Sequence, residues 1–169
     1  MFPCWDEPAL KATFSVTMVS QPETVNVSNM PMISERAYAP GDNVTVGAGE
    51  DLAKLLHVLE FDNFPFKVTT FDKTPKMSLY LLAWGNGEFK SHETFYTSKI
   101  SGKKRSLKIY GTPDAIGKLE FAMNIGAQAL PLYEAKFDIE YALPKLDTLV
   151  VDNYDSSEHI DCRALQKSL

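Results

Sequence analysis

Between Lys11 and Met18 the sequence KATFSVTM alternates without a break. Ala12, Phe14, Val16 and Met18 fall on one side, and Lys11, Thr13, Ser15 and Thr17 on the other. A period of two matches the pleat of a strand, whose successive side chains point to opposite faces, and a helix cannot gather that pattern on one side. The stretch is therefore expected to be a half-buried strand, ended by Gln21-Pro22-Glu23. Thr24 to Ser28 alternates again around Val25 and Val27, which predicts an antiparallel hairpin with a loop longer than two residues. Phe66 to Phe71, Ser78 to Trp84 and Ser106 to Tyr110 repeat the signal, punctuated by turn-forming runs at 72–76 and at Gly85-Asn86-Gly87. The fold class expected is mainly β, with one or two helices.

Two segments depart from that pattern. After the loop-like run 39–49, Leu52, Leu55, Leu56 and Leu59 recur at helical spacing, which predicts one short helix near 50–60. At Gly111-Thr112-Pro113-Asp114 the order is that of a helix start, with Thr112 as N-cap, Pro113 in the first turn and Asp114 complementing the helix dipole. Leu119, Met123, Leu130, Tyr133 and Phe137 continue an apolar stripe, and Pro131 is expected to kink or end the helix. A domain boundary is placed near Thr112, separating 1–111 from 112–151, with 152–169 a polar tail.

The 169 residues carry a net charge of -5, with 44% hydrophobic and 23% charged side chains, which suits a globular chain and argues against a phosphate-tracking surface. Lys103, Lys104 and Arg105 form the one basic cluster; it is read as a solvated turn, and no nucleic-acid partner is expected. No run reaches the length of a membrane span, so no membrane segment is expected. Cys4 and Cys162 have neither disulfide-framework nor zinc-knuckle spacing, which favours a reducing, cytoplasmic setting. Asn26-Val27-Ser28 and Asn43-Val44-Thr45 match the N-glycosylation sequon, which matters only for a secreted chain.

Five stretches taken in order resemble one family, the zinc-dependent aminopeptidases that include aminopeptidase N and puromycin-sensitive aminopeptidase. They are FPCWDEPALKATF (2–14), VNVSNMPMISE (25–35), FDKTPKMSLYLLAWGNGEF (71–89), LKIYGTPD (107–114) and LPLYEAKFDIEYALPKLD (130–147). The resemblance implies an antiparallel β-saddle or sandwich, incomplete at its N-terminus because family members carry strands before F-P-C-W-D-E-P. The start of a thermolysin-like catalytic domain should follow from Thr112. It implies peptides as substrates of the full-length enzyme, zinc as that enzyme's cofactor, and the remainder of the enzyme as a partner of this chain.

The same resemblance marks what is missing. In the family L-P-K-L-D leads to G-A-M-E-N, which holds the substrate's amino group, and then to the H-E-x-x-H zinc motif; here 143–147 run into TLVVDNYDSSEHIDCRALQKSL without either. A catalytic zinc in this class needs two histidines one helical turn apart, a third ligand and an adjacent glutamate. The chain has only His57, His92 and His159; His92-Glu93 is followed by Tyr96 at the second ligand's place, and Glu158-His159 lies in the polar tail. No catalytic, cofactor-binding or metal residue is therefore expected, and the chain alone is expected to be inactive. The family-signature residues Phe2, Pro3, Cys4, Trp5, Asp6, Glu7 and Pro8 read as structural. Asp6 and Glu7 should accept backbone N–H groups in a proline-bounded turn while Cys4 and Trp5 pack inward, since an apolar setting makes Cys4 an inert thiol rather than a nucleophile. The alternative is a non-catalytic β-rich interaction module.

Overall fold

The computed structural model describes residues 5, 7–39, 42, 44–46, 50–58 and 64–150. Phe2, Pro3, Cys4 and Asp6, the sequon residue Asn43, Leu59, and the tail with Glu158, His159 and Cys162 lie outside these residues.

The expected mainly β architecture is present as several small sheets. The first is β2 (Thr17–Ser20), β7 (Lys67–Phe71) and β4 (Met32–Ala37), with β7 central and both pairings antiparallel. The second contains β10 (Lys90–Thr97), β11 (Lys104–Gly111) and β12 (Lys145–Leu149); β10 and β11 form an antiparallel hairpin, and β12 joins β11 in parallel. Antiparallel two-stranded pairs complete the set: β3 (Val25–Ser28) with β9 (Trp84–Gly87), β1 (Lys11–Ala12) with β8 (Met77–Ser78), and β5 (Thr45–Val46) with β6 (Glu50–Asp51). The helices are α1 (Leu52–Val58), as its leucine spacing predicts, and α2 (Glu120–Phe137). The chain closes the parallel β11–β12 connection through α2, since parallel neighbours require a crossover rather than a tight turn.

Four local expectations are corrected. The alternating stretch 11–18 is not one strand: only 11–12 and 17–18 enter ladders, and residues 13–16 run irregularly beside 71–74. The Thr74 N–H donates to the Phe14 carbonyl, the Phe14 N–H donates to the Thr74 hydroxyl instead of to a backbone oxygen, and the Phe71 N–H donates to the Val16 carbonyl. Pro75 follows in that partner segment and has no N–H to extend a ladder. The predicted hairpin does not pair with itself either, because β2 goes to β7 and β3 to β9. Gly85-Asn86-Gly87, expected as a turn, is most of β9; a Cβ on Gly85 would lie 3.1 Å from Val27 and 3.3 Å from Leu149, so glycine lets the strand seat closely. Leu79–Leu81, read as strand, is a 3₁₀ turn, a case of a short apolar run whose period does not settle its conformation.

The helix after Thr112 begins later than its sequence signals suggest. The Thr112 carbonyl accepts from the N–H groups of Ala115 and Ile116, a 3₁₀ turn covers Ile116–Lys118, and α2 starts at Glu120. It then runs through Pro131 without ending. An interior proline costs about 3 kcal/mol, and packing of the helix offsets that: Met123 and Leu130, both ahead of Pro131, sit on the core of Met30, Tyr96, Leu107, Tyr141, Leu143 and Leu146. Gly126 faces the same way, where a Cβ would come 3.2 Å from the Leu107 side chain. Tyr133 and Phe137, expected in the buried stripe, are instead exposed and stack on each other at 6.2 Å, because the face that meets the sheet passes through Glu134, one residue round the helix. A second core under the other sheet gathers Val44, Leu52, Leu56 and Val68.

Candidate functional site

The signature segment is described only in part. Glu7 does what its position predicts, accepting the Ala9 N–H at 3.1 Å in the turn before β1. Trp5 does not pack inward; it is 82% exposed. The neighbouring β1 offers a ladder of only two residue pairs, and nothing in it extends back to cover an indole.

His92, Glu93 and Tyr96 all lie on β10. On a strand, positions i and i+4 share a face but stand about 13 Å apart at about 3.3 Å per residue, so this stretch cannot place two ligands round one metal as a helix turn does. Two of these groups are also engaged elsewhere. Glu93 accepts the Ser106 hydroxyl at 2.7 Å and pairs with Lys108 at 3.6 Å. Tyr96 is buried, and its phenol donates to Glu134. Among the described residues there is no group of three or more His, Cys, Asp or Glu side chains placed to hold a metal ion. The described residues do not fit a catalytic zinc.

What the fold does assemble is a pair of buried polar clusters where β12 and α2 meet the strands. In the first, Lys145 donates to the carbonyl of Ser28 at 2.8 Å, a contact 117 residues apart in sequence, and pairs with Asp147. The Asp147 side chain is only 2% exposed, and its Oδ1 has no hydrogen-bond partner among the described residues. Burial pushes its carboxyl above the usual aspartate range, and the charges of Lys145 and Lys108 only partly offset that. The phenol of Tyr110 is pushed up by burial first and then by the charge of Asp147. Asn29 braces the same junction: its amide donates to the Leu81 carbonyl at 3.0 Å and its Oδ1 accepts from the Ala83 N–H at 2.8 Å.

In the second cluster Glu134 reaches in from α2 and accepts both the Tyr96 phenol, at 3.2 Å, and the Tyr141 N–H, at 3.0 Å. Beside it Arg105 is buried, which corrects the reading of 103–105 as a solvated turn. Alternation along β11 turns Arg105 to the buried face, where it donates to the Leu143 carbonyl at 2.6 Å and pairs with Glu140 at 2.7 Å. Glu140 is held below its usual carboxylate range by the Ser101 hydroxyl and then by Arg105. No sequence signal singles out Glu134, Lys145 or Asp147, although Glu134 interrupts an apolar stripe and Lys145 and Asp147 stand inside L-P-K-L-D. Chemically the first cluster ties β12 to β3 and the second ties α2 to the strands, with the charged groups turned to internal partners.

The first 46 residues match the Peptidase M1 N-terminal domain. The chain is also 34% identical to endoplasmic reticulum aminopeptidase 1 of Mus musculus over 155 residues, covering 92% of this chain and 14% of that protein. Alanine/arginine aminopeptidase of Saccharomyces cerevisiae gives the same 34% identity over 155 residues and the same coverage of 92% and 14%. The chain belongs to the peptidase M1 family. Human aminopeptidase Q is 32% identical over 160 residues, which are 92% of this chain and 13% of that protein. This M1 chain therefore spans about one seventh of the length of the curated relatives it matches. Lys145, Asp147, Arg105 and Glu134 all lie beyond the matched N-terminal domain segment, in the part tied to the family through those whole-length relatives.

Proposed function

We propose that this chain is the scaffold part of an M1 aminopeptidase, with 1–111 contributing the N-terminal β-domain, 112–151 the start of the catalytic domain and 152–169 a divergent tail, and that it does not hydrolyse peptides by itself. The observation carrying this is the match over 155 residues to proteins named as aminopeptidases, joined to a sequence that has L-P-K-L-D at 143–147 but no G-A-M-E-N and no H-E-x-x-H. Peptides and zinc then belong to the complete enzyme, whose metal ligands would be supplied by residues this chain does not contain. Purified chain supplied with zinc is expected to release no fluorophore from aminoacyl-aminocoumarin substrates. Turnover that a chelator abolishes would overturn the reading.

The outer face of α2 favours a second reading, that of a β-rich module that docks on the complementary part of an enzyme. Phe121, Ile125 and Leu132 are exposed there, and Ile125 and Leu132 line a shallow recess with Lys99, Gln128, Ala129 and Pro131. Isolated apolar residues on a surface are ordinary, whereas a row of them along one helix needs a cover. Co-expression with the complementary part of a full-length relative should yield a complex that survives size exclusion. If Ile125→Asp and Leu132→Asp leave that complex intact, this face is not its interface.

A further inference from the structure

We propose that Asn26-Val27-Ser28 is a glycosylation acceptor that folding closes: the unfolded chain can take a glycan at Asn26, and the folded protein cannot. An N-glycosylation sequon belongs on an accessible loop, because the transferring enzyme must reach both the amide nitrogen and the hydroxyl two residues on. Here the triplet lies within β3, and both of its polar residues are buried; Asn26 is 8% exposed and Ser28 1%.

The hydrogen bonds are as restrictive as the burial. Asn26 Nδ2 donates one hydrogen to Ser20 Oγ at 2.9 Å and the other to Thr69 Oγ1 at 2.8 Å, so both are used on strands β2 and β7. Its Oδ1 accepts from Asn86 Nδ2 at 2.8 Å on β9, and the Thr69 hydroxyl passes its own hydrogen to Glu35 on β4 at 2.8 Å. The Ser28 hydroxyl donates to the Ala83 carbonyl at 2.9 Å. One amide thus ties together four strands besides its own, directly or through Thr69, and joins the β2–β7–β4 sheet to the β3–β9 pair.

Glycan transfer forms a bond between Nδ2 and the anomeric carbon of the sugar, with loss of one Nδ2 hydrogen as a proton and departure of the lipid pyrophosphate. The modified nitrogen keeps a single hydrogen, so one of Ser20 and Thr69 loses its donor, and the sugar occupies the space where that partner sits. A buried polar group left without its partner is costly, and a sugar in a packed interior more so. Glycan at Asn26 and the native strand arrangement therefore exclude one another. This holds whichever compartment the protein occupies.

The test uses the 169-residue chain carrying Thr45→Ala, which removes the other sequon and leaves Asn26 as the one acceptor. It is incubated with a single-subunit oligosaccharyltransferase and a lipid-pyrophosphate-linked oligosaccharide, either folded or diluted directly from urea into the reaction. Glycan occupancy by intact-mass measurement is expected to be at least tenfold lower for the folded chain. The glycan-bearing chain is then taken through refolding and should remain protease-sensitive under conditions where unmodified chain is protected. Equal modification of the folded and urea-diluted chain would overturn the proposal, as would a glycosylated chain that regains full protection.

Discussion

Lys145→Met is expected to destabilise the fold by about 3–5 kcal/mol, the range for removing one partner of a buried ion pair. The loss is not that of a surface salt bridge, for which about 0–1 kcal/mol would be expected. Asp147 is nearly inaccessible and has one oxygen without a partner among the described residues, so with Lys145 gone its charge has little left but the more distant Lys108. The Ser28 carbonyl loses its donor in the same stroke. Urea denaturation should show a lower midpoint at neutral pH. The double variant K145M/D147L should recover most of the stability, because it removes the stranded charge as well. A K145M variant as stable as the parent would mean that water reaches Asp147 and that the pair is not a brace.

The pH dependence follows from the direction of the Asp147 shift. Burial raises its folded carboxyl above the ordinary 3.8, so the folded state holds a proton where the unfolded chain has released it. Where the folded state binds more protons, stability falls as pH rises. The contribution of Asp147 is thus fully present below 3.8 and declines as pH climbs from there through the raised folded value. In Asp147→Asn that part of the decline should vanish. K145M should also be less harmful at the acid end of the window, where Asp147 is neutral, than at pH values well above it.

The fold could be read from the sequence as far as faces, and not as far as partners. Alternation correctly marks β11 as a strand, and the leucine spacing of 52–56 correctly marks α1. It says nothing about which strand lies alongside, so the Thr17–Ser20 and Val25–Ser28 segments, adjacent in sequence, pair with strands some forty to sixty residues away. Arg105 shows a different failure: a basic triplet looks like a solvated turn until period two is applied through it, which sends the middle of the run outward and its end inward. Trp5 stays exposed where the proline-bounded turn predicts an inward side chain, since large apolar side chains are not always covered. The brace at Lys145 and Asp147 was visible as part of a family-like string, but its role depends on Ser28, which only the folded chain brings within reach.

Glu134→Ala is expected to cost about 2–4 kcal/mol, since each buried hydrogen-bonding group left without a partner costs about 1–3 kcal/mol and a small cavity adds to it. The two groups are the Tyr96 phenol and the Tyr141 N–H, both served by one carboxylate oxygen inside the core that α2 makes with β10 and β11. Glu134→Gln separates the hydrogen bonds from the charge: its amide oxygen can still accept both, so its cost should stay within about 1 kcal/mol. A second readout follows the Tyr96 phenol, whose ionisation is pushed above its ordinary 10.0 first by burial and then by the charge of Glu134. In Glu134→Gln near-ultraviolet titration should find this tyrosine ionising at lower pH than in the parent, yet still above an exposed tyrosine, because burial, the larger cause, is unchanged. If Ala and Gln at position 134 cost the same, the carboxylate is not acting as an acceptor for these two groups. If Tyr96 does not move in the Gln variant, the Glu134 charge does not reach the phenol, and burial alone raises its ionisation.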